Sequence, residues 1–275
     1  DMNAVIADRQ AYLRSDAFRS FALIAAAAGL LWAFVQDKIK RGYLLAGLGL
    51  LVTFDLWQVD RRYVNYDSFV EQREDEAVFT PRPVDQQILQ DTDPNYRVFD
   101  LTQNPFQSAQ YAYFHNMIGG YHAAKLQRYQ DIIDRHLVNG NQAVLDMLNT
   151  RYIVNRGADG QPVAQRNPGA LGNAWFVDAI RLVDTPNEEI NALSNFQPDS
   201  LAVVHREFSD YVAGLDPSRA GSIELTDYRP DHLVYQANAA DETLAVFSEI
   251  WYGPGKGWQA YLDGEPVEHI RANYV

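Results

Sequence analysis

A chain of 275 residues with 36 acidic against 23 basic side chains carries a formal charge of −13, and it has no basic cluster beyond one short link. That balance argues against a nucleic-acid partner, because neutralising phosphates needs concentrated Lys and Arg. With no cysteine in the chain, disulfides and cysteine-based metal or redox chemistry are excluded.

Two apolar runs occupy the first 60 residues, and everything after them reads as water-soluble. Residues 17–35 carry only Arg19 and Ser20 as polar groups, both at the start; as a helix this run rises about 28 Å, enough to cross a bilayer. Residues 42–59 are apolar through Phe54 and then meet Asp55 and Gln58, so the end of this second span must reach the interface or a protein-lined cavity. The alternative, a buried helical hairpin of a soluble protein, has no polar face to turn to water between Ala25 and Trp32. Only residues 36–41 join the runs, so the segments flanking the hairpin share one side of the membrane. Lys38, Lys40 and Arg41 argue for a cytoplasmic link, while Arg9, Arg14, Arg19, Arg61 and Arg62 flank the other ends, and charge alone leaves the orientation open. Asp1 ahead of Met2, and a stop directly after a strand-like segment, read as a piece of a larger membrane protein.

Beyond the hairpin, residues 60–80 read as a connector. Pro83 opens a short helix with Asp85 in its first turn, and Asp93-Pro94-Asn95 ends it in a turn. Residues 96–101 alternate as a strand, with Val98 on one face and Phe99 on the other. From Ala123, Leu126, Tyr129, Ile132 or Ile133 and Leu137 recur at helical spacing until Asn139-Gly140-Asn141. A short helix over 144–148 and a strand over 151–154, closed by a turn at 155–160, follow. The pattern then predicts one strand over 175–183, a helix over 186–193 and a strand over 201–205. After about Ser209 come short strand-like runs, with Asp263-Gly264 as a strong hairpin signal. The expected fold class is α+β: a two-helix membrane segment (1–60), an α+β extramembrane domain (61–208) and an antiparallel sandwich-like region (209–275).

Several segments carry a family resemblance when read in order. Asp55-Leu56-Trp57, Arg62-Tyr63-Val64-Asn65, the stretch from Phe114 to His122, Leu148-Asn149-Thr150-Arg151-Tyr152 and Asn173-Ala174-Trp175-Phe176-Val177 resemble the YfhO-like bacterial membrane proteins. The stretch from Gly257 to Gly264 and Arg271-Ala272-Asn273-Tyr274 look like that family's carboxy-terminal extracytoplasmic domain. The resemblance implies a polytopic protein of the bacterial cytoplasmic membrane, similar to C-type glycosyltransferases that move sugars from polyprenyl-phosphate carriers to an envelope glycan or lipid. It also implies that the soluble domain lies outside and the 36–41 link inside. In enzymes of that kind the catalytic carboxylates sit in loops near amino-terminal membrane helices, a region with no counterpart here. No cofactor is implied; a polyprenyl-phosphate sugar would be the donor substrate.

Three groups could carry chemistry. His115, Gly119, Gly120, Tyr121, His122, Lys125 and Arg128 could hold a lipid-linked phosphate, because paired glycines let backbone amides approach an anion and the cations would neutralise it; a plain turn before a helix is the alternative. Trp251, Tyr252, Trp258 and Tyr261 flank the Gly253-Pro254-Gly255 turn and could stack on sugar rings or pack in a core. Asp55, an ionisable group at a span's end, is either functional or paired with Arg61 or Arg62. His115 and His122 lack a third ligand at metal-site spacing, so no metal is expected. Two functions follow: the outer domain of a glycosyltransferase-like protein that guides a lipid-linked sugar, or an interaction module that packs against other membrane subunits.

Overall fold

A computed structural model of the chain describes residues 2–69, 79–253 and 257–275. Residues 70–78 of the expected connector, and Pro254 and Gly255 of the expected turn, lie outside the described residues. The chain divides into two compact units, 1–77 and 78–275.

The first unit is a helical hairpin. Helix α1 (Met2–Val35) and helix α2 (Arg41–Tyr63) form from a proline-free stretch rich in Ala and Leu, both strong helix formers. The apolar run at 17–35 is thus the second half of a longer helix. The link turns on Asp37, whose φ of 56° is left-handed, a conformation Asp tolerates better than most residues. At the crossing, Gly47 leaves room for Leu30: a Cβ on Gly47 would lie 2.9 Å from the Leu30 Cδ1. No residue of α1 is buried, and Leu44 is the buried residue of α2. Both helices are long and apolar enough to cross a membrane. Trp32 carries Lys38 over its ring at 4.4 Å, and Trp57 carries Arg61 at 5.0 Å, so an aromatic–cation pair marks each end of the apolar stretch, as interfacial anchors do.

The second unit is α+β. Helix α3 (Pro83–Ile88) leads to strand β1 (Arg97–Asp100), which pairs parallel with β2 (Thr150–Arg156), and β2 pairs antiparallel with β3 (Pro162–Arg166). Strand β1 is buried on both faces: Val98 packs with Val84, Ile88 and Val154 in a small cluster, while Phe99 belongs to the main core. Between β1 and β2, helix α4 (Gln127–Ile132) runs into one π turn over Ile133–Leu137, and α5 (Gln142–Met147) follows, capped by the Asn141 side chain. Ile132, Ile133 and Leu137 reach the core as their spacing predicts.

The segment expected as one strand over 175–183 is two. Strand β4 (Ala174–Phe176) pairs antiparallel with β9 (Ala245–Phe247), whereas β5 (Ala179–Val183) pairs parallel with β6 (Leu201–His205). The chain breaks at Val177-Asp178 because it changes sheet there, a tertiary demand that alternation along one segment does not report. Strand β3 went unseen for a related reason: the turn at 155–160 does not close a strand but folds it back, with Gly157 N donating to the Gln161 carbonyl at 2.7 Å. Helix α6 (Pro186–Ala192) crosses between β5 and β6, with Pro186 in its first turn and Thr185 accepting from Glu188 N.

After residue 209 come the ribbon β7 (Gly221–Arg229)–β8 (His232–Ala239), then β9, then the hairpin β10 (Ala260–Leu262)–β11 (Glu265–Val267). Asp263 and Gly264 have φ of 50° and 89°, the two positive angles of the tight turn that Asp-Gly favours. This tail is sewn into the middle of the chain through β4–β9 and through a bridge between Val204 and Ala272. The ring of Tyr235 on β8 also meets Phe247 on β9, edge-on, at 5.0 Å.

Candidate functional site

A buried polar cluster of the second unit lies where α3 begins and β1 ends. The first turn of α3 places Asp85 and the end of β1 places Asp100, both essentially without solvent access. Arg82, just before α3, holds them together: its Nε and Nη2 donate to Asp85 at 2.8 Å each, and Nη2 also donates to Asp100 Oδ2 at 2.6 Å. The guanidinium stacks on Tyr111, 3.5 Å from the ring centroid. Thr102 donates its hydroxyl to Asp100 Oδ1 at 2.6 Å. His115, also buried, completes the group, with Nε2 3.1 Å from Asp85 Oδ1.

The charges in this cluster hold one another in place. Burial works against the Arg82 cation, but its bonds to Asp85 and Asp100 outweigh that and raise its pKa. Burial likewise pushes Asp85 up, and the Arg82 bonds, with help from His115, bring it below the ordinary carboxylate range. For His115 burial wins over the Asp85 bond and the imidazole falls below 6.5, so at neutral pH it is uncharged and its Nε2–H donates to the Asp85 carboxylate.

A second buried carboxylate anchors the end of the chain. Glu189, in the first turn of α6, has no solvent access. Its Oε2 accepts from Arg128 Nη1 at 3.2 Å, and its Oε1 accepts from Tyr274 N at 3.2 Å and lies 3.5 Å from Arg271 Nε. Arg271 also donates to Glu207 at 2.8 Å and sits over the rings of Phe208 and Trp251, 5.3 Å from each. Asn273 exchanges two hydrogen bonds with Val203, donating its N to the Val203 carbonyl and accepting at Oδ1 from Val203 N.

No family model, curated protein or solved structure matches the chain. The likeness to YfhO-like proteins therefore rests on the sequence segments alone, and the roles of residues rest on geometry.

The residues expected around a phosphate do not converge. His115 turns inward to Asp85. Tyr121 and His122 are exposed, and His122 Nδ1 accepts from Ala124 N at 3.0 Å. Lys125 donates to the Gln130 side chain at 3.2 Å. Arg128 is drawn to Glu189, with its guanidinium over the Tyr274 ring at 4.5 Å. The glycines serve packing: a Cβ on Gly119 would fall 1.9 Å from the Pro105 carbonyl oxygen, and Gly120, at φ 117°, donates its N to that same oxygen at 2.7 Å. Gly119→Ala is accordingly expected to lower stability by about 1–3 kcal/mol, the usual cost of forcing atoms into filled space, read as a drop in the urea midpoint at unchanged slope.

The aromatic group divides in the same way. Trp251 is half-buried between Phe208, 6.0 Å away edge-on, and Arg271, and Trp258 is also half-buried. Tyr252 and Tyr261 remain 45% and 61% exposed, so two rings are open to a ligand and two are partly covered. In the hairpin, Asp55 pairs with neither Arg61 nor Arg62. It lies 3.5 Å from Arg19 Nε on the facing helix, while Arg62 makes two bonds to Asp16, at 2.6 and 2.9 Å. The spacing along one helix pointed to neighbours on that helix; the partner comes from the antiparallel packing. Among the described residues no group of three His, Asp or Glu side chains is placed to hold a metal.

Sequence reading missed Asp85 with Arg82 and Asp100 as a unit, and Glu189 with Arg271. A signal existed for the first, because an acid three residues after an arginine at a helix start is a capping arrangement. Glu189 and Arg271 are 82 positions apart, beyond any local pattern.

Proposed function

We propose that this chain is a membrane-anchored interaction module. The hairpin sits in the bacterial cytoplasmic membrane beside other membrane subunits, and unit 78–275 lies outside. The carrying observation is how the polar side chains best suited to a ligand are spent: His115 on Asp85, Arg128 on Glu189, and Gly120 N on Pro105. A buried carboxylate already matched by arginines serves the architecture of a domain better than turnover of a substrate. The side of the membrane and the bacterial setting follow from the resemblance to YfhO-like proteins.

A second reading has one observation in its favour. The exposed rings of Tyr252 and Tyr261 suit stacking on an envelope glycan, and the protein would then help a glycosyltransferase-like parent pass sugar from a polyprenyl-phosphate carrier. Tyr252→Ala and Tyr261→Ala separate the two, since both rings are exposed and carry the second reading. Envelope glycan modification in cells carrying the full-length protein is expected to stay at wild-type level in both variants. Its loss, together with a polyprenyl-phosphate sugar seen by mass spectrometry of the protein purified in mild detergent, would replace the module reading with the transfer reading.

A further inference from the structure

The loop that joins β1 to α4 is chemically unlike the rest of the chain. In a protein where 36 of 275 residues are acidic, residues 101–130 contain no Asp or Glu at all, and their formal charges are Lys125 and Arg128. The same loop is rich in aromatic residues, and it leaves them in the open: Tyr113 is 68% and Tyr121 69% exposed. Phe79, itself half-exposed, packs edge-on against Tyr113 at 5.1 Å, and Tyr113 in turn against Phe114 at 5.3 Å. Leu101 is likewise exposed.

A soluble domain gains nothing by holding such rings in water. Tyr and Phe clusters of this kind are favoured at the headgroup level of a bilayer, where an apolar ring with a polar tip is solvated at both ends. Within residues 101–130 charge points the same way, because an acid-free, weakly basic stretch is attracted by anionic headgroups; the acids nearest Phe79 in the chain, Glu71, Glu74, Asp75 and Glu76, belong to the segment that joins it to the hairpin. Chain length permits the contact. Phe79 follows Phe69 by ten residues, a length of chain that spans at most about 35 Å.

We propose that the acid-free loop, through Tyr113 with Phe79 and through Tyr121, rests in the interfacial layer of the membrane that holds the hairpin. The partner is the lipid surface itself, with anionic headgroups preferred. This rests on the hairpin being a membrane anchor, and it adds a second contact that would fix how the domain stands on the bilayer.

The absence of cysteine makes a site-specific test direct. Tyr113→Cys, Tyr121→Cys, Phe21→Cys in the hairpin and Asp231→Cys in the exposed β7–β8 turn are each labelled with an environment-sensitive fluorophore. The full-length chain is then reconstituted into vesicles of phosphatidylcholine and phosphatidylglycerol at 3:1 that contain a headgroup-proximal spin-labelled lipid. The expected result is quenching at Tyr113 and Tyr121 at least two-fold greater than at Asp231, and weaker in phosphatidylcholine alone. Quenching at Phe21 with none beyond the Asp231 level at either tyrosine overturns the proposal and leaves the anchored hairpin standing. No quenching at Phe21 overturns the anchored hairpin, and the proposal with it. Because Tyr113 touches two neighbouring rings, Tyr121, which has no such ring contact among the described residues, decides the matter if the first variant misfolds.

Discussion

Glu189→Ala is expected to cost about 3–5 kcal/mol, the range found when one partner of a buried ion pair is removed. The loss has a definite anatomy. Arg271 is almost wholly buried, and without Glu189 its Nε faces no anion, leaving Glu207 on its far side as the remaining counter-charge. Tyr274 N would lose its acceptor, and Arg128 would keep only the Tyr274 carbonyl at 3.1 Å. An unfolding curve in urea, followed by tryptophan fluorescence, would show the midpoint fall at unchanged slope. A cost under about 1 kcal/mol, the value of a surface pair, would mean that water reaches this cluster. Replacing both partners, Glu189→Met with Arg271→Leu, is expected to cost much less than either change alone, because no charge is then stranded.

Asp85→Ala is the second large effect, also about 3–5 kcal/mol, and it carries a pH signature. Removing the carboxylate takes three hydrogen bonds from Arg82, two from its guanidinium and one from its backbone N, and the acceptor from the His115 Nε2–H. In the intact protein His115 has a folded pKa below 6.5 because it is buried, so the unfolded chain binds its proton first. Stability is therefore unpenalised above pH 6.5 and declines as the pH falls from there through the lower folded value. Buried His136 adds in the same direction, its Nε2 donating to the Ile190 carbonyl at 2.9 Å and its Nδ1 accepting from Asn141. Asp85 itself acts lower: its folded pKa lies below 3.8, so its contribution is complete above 3.8 and is lost as pH falls through the folded value. Thermal melts at steps of pH from 7.5 to 5 are expected to show Tm falling below pH 6.5, with His115→Gln flattening part of that slope. A Tm independent of pH over this window would show His115 to be solvated.

What could be read from the residues, and what could not, follows the range of the forces involved. The hairpin, β1, α6, β6 and the Asp263-Gly264 turn are written locally, in apolar runs, alternation, a Pro-led acidic first turn and a dipeptide that accepts positive φ. They stand where the pattern put them, within a few residues, except that α1 begins at Met2, fifteen residues ahead of its apolar run. Features set by partners far along the chain were not legible. The break between β4 and β5 exists because the two strands belong to different sheets, and Asp55 meets Arg19 only because two helices run antiparallel. The phosphate cluster illustrates the limit most clearly. His115, Gly120 and Arg128 lie within fourteen positions of one another, yet each is committed to a residue at least fifteen positions away along the chain, at Asp85, Pro105 and Glu189 respectively.

The stitching of the tail into the middle of the fold sets the order of events during synthesis. Strand β4 waits for β9, and β6 is completed only when Ala272 and Asn273 arrive. At about 5–20 residues per second, the ribosome takes roughly 10–40 s between Phe79 and Tyr274. Throughout that interval the hairpin is already made while the large core built on Val203, Ile190 and Trp175 lacks its closing strand. Such late, long-range closure slows folding and leaves edges open. The nascent unit thus spends its most vulnerable period tethered to the hairpin, with its core still open to a holding chaperone.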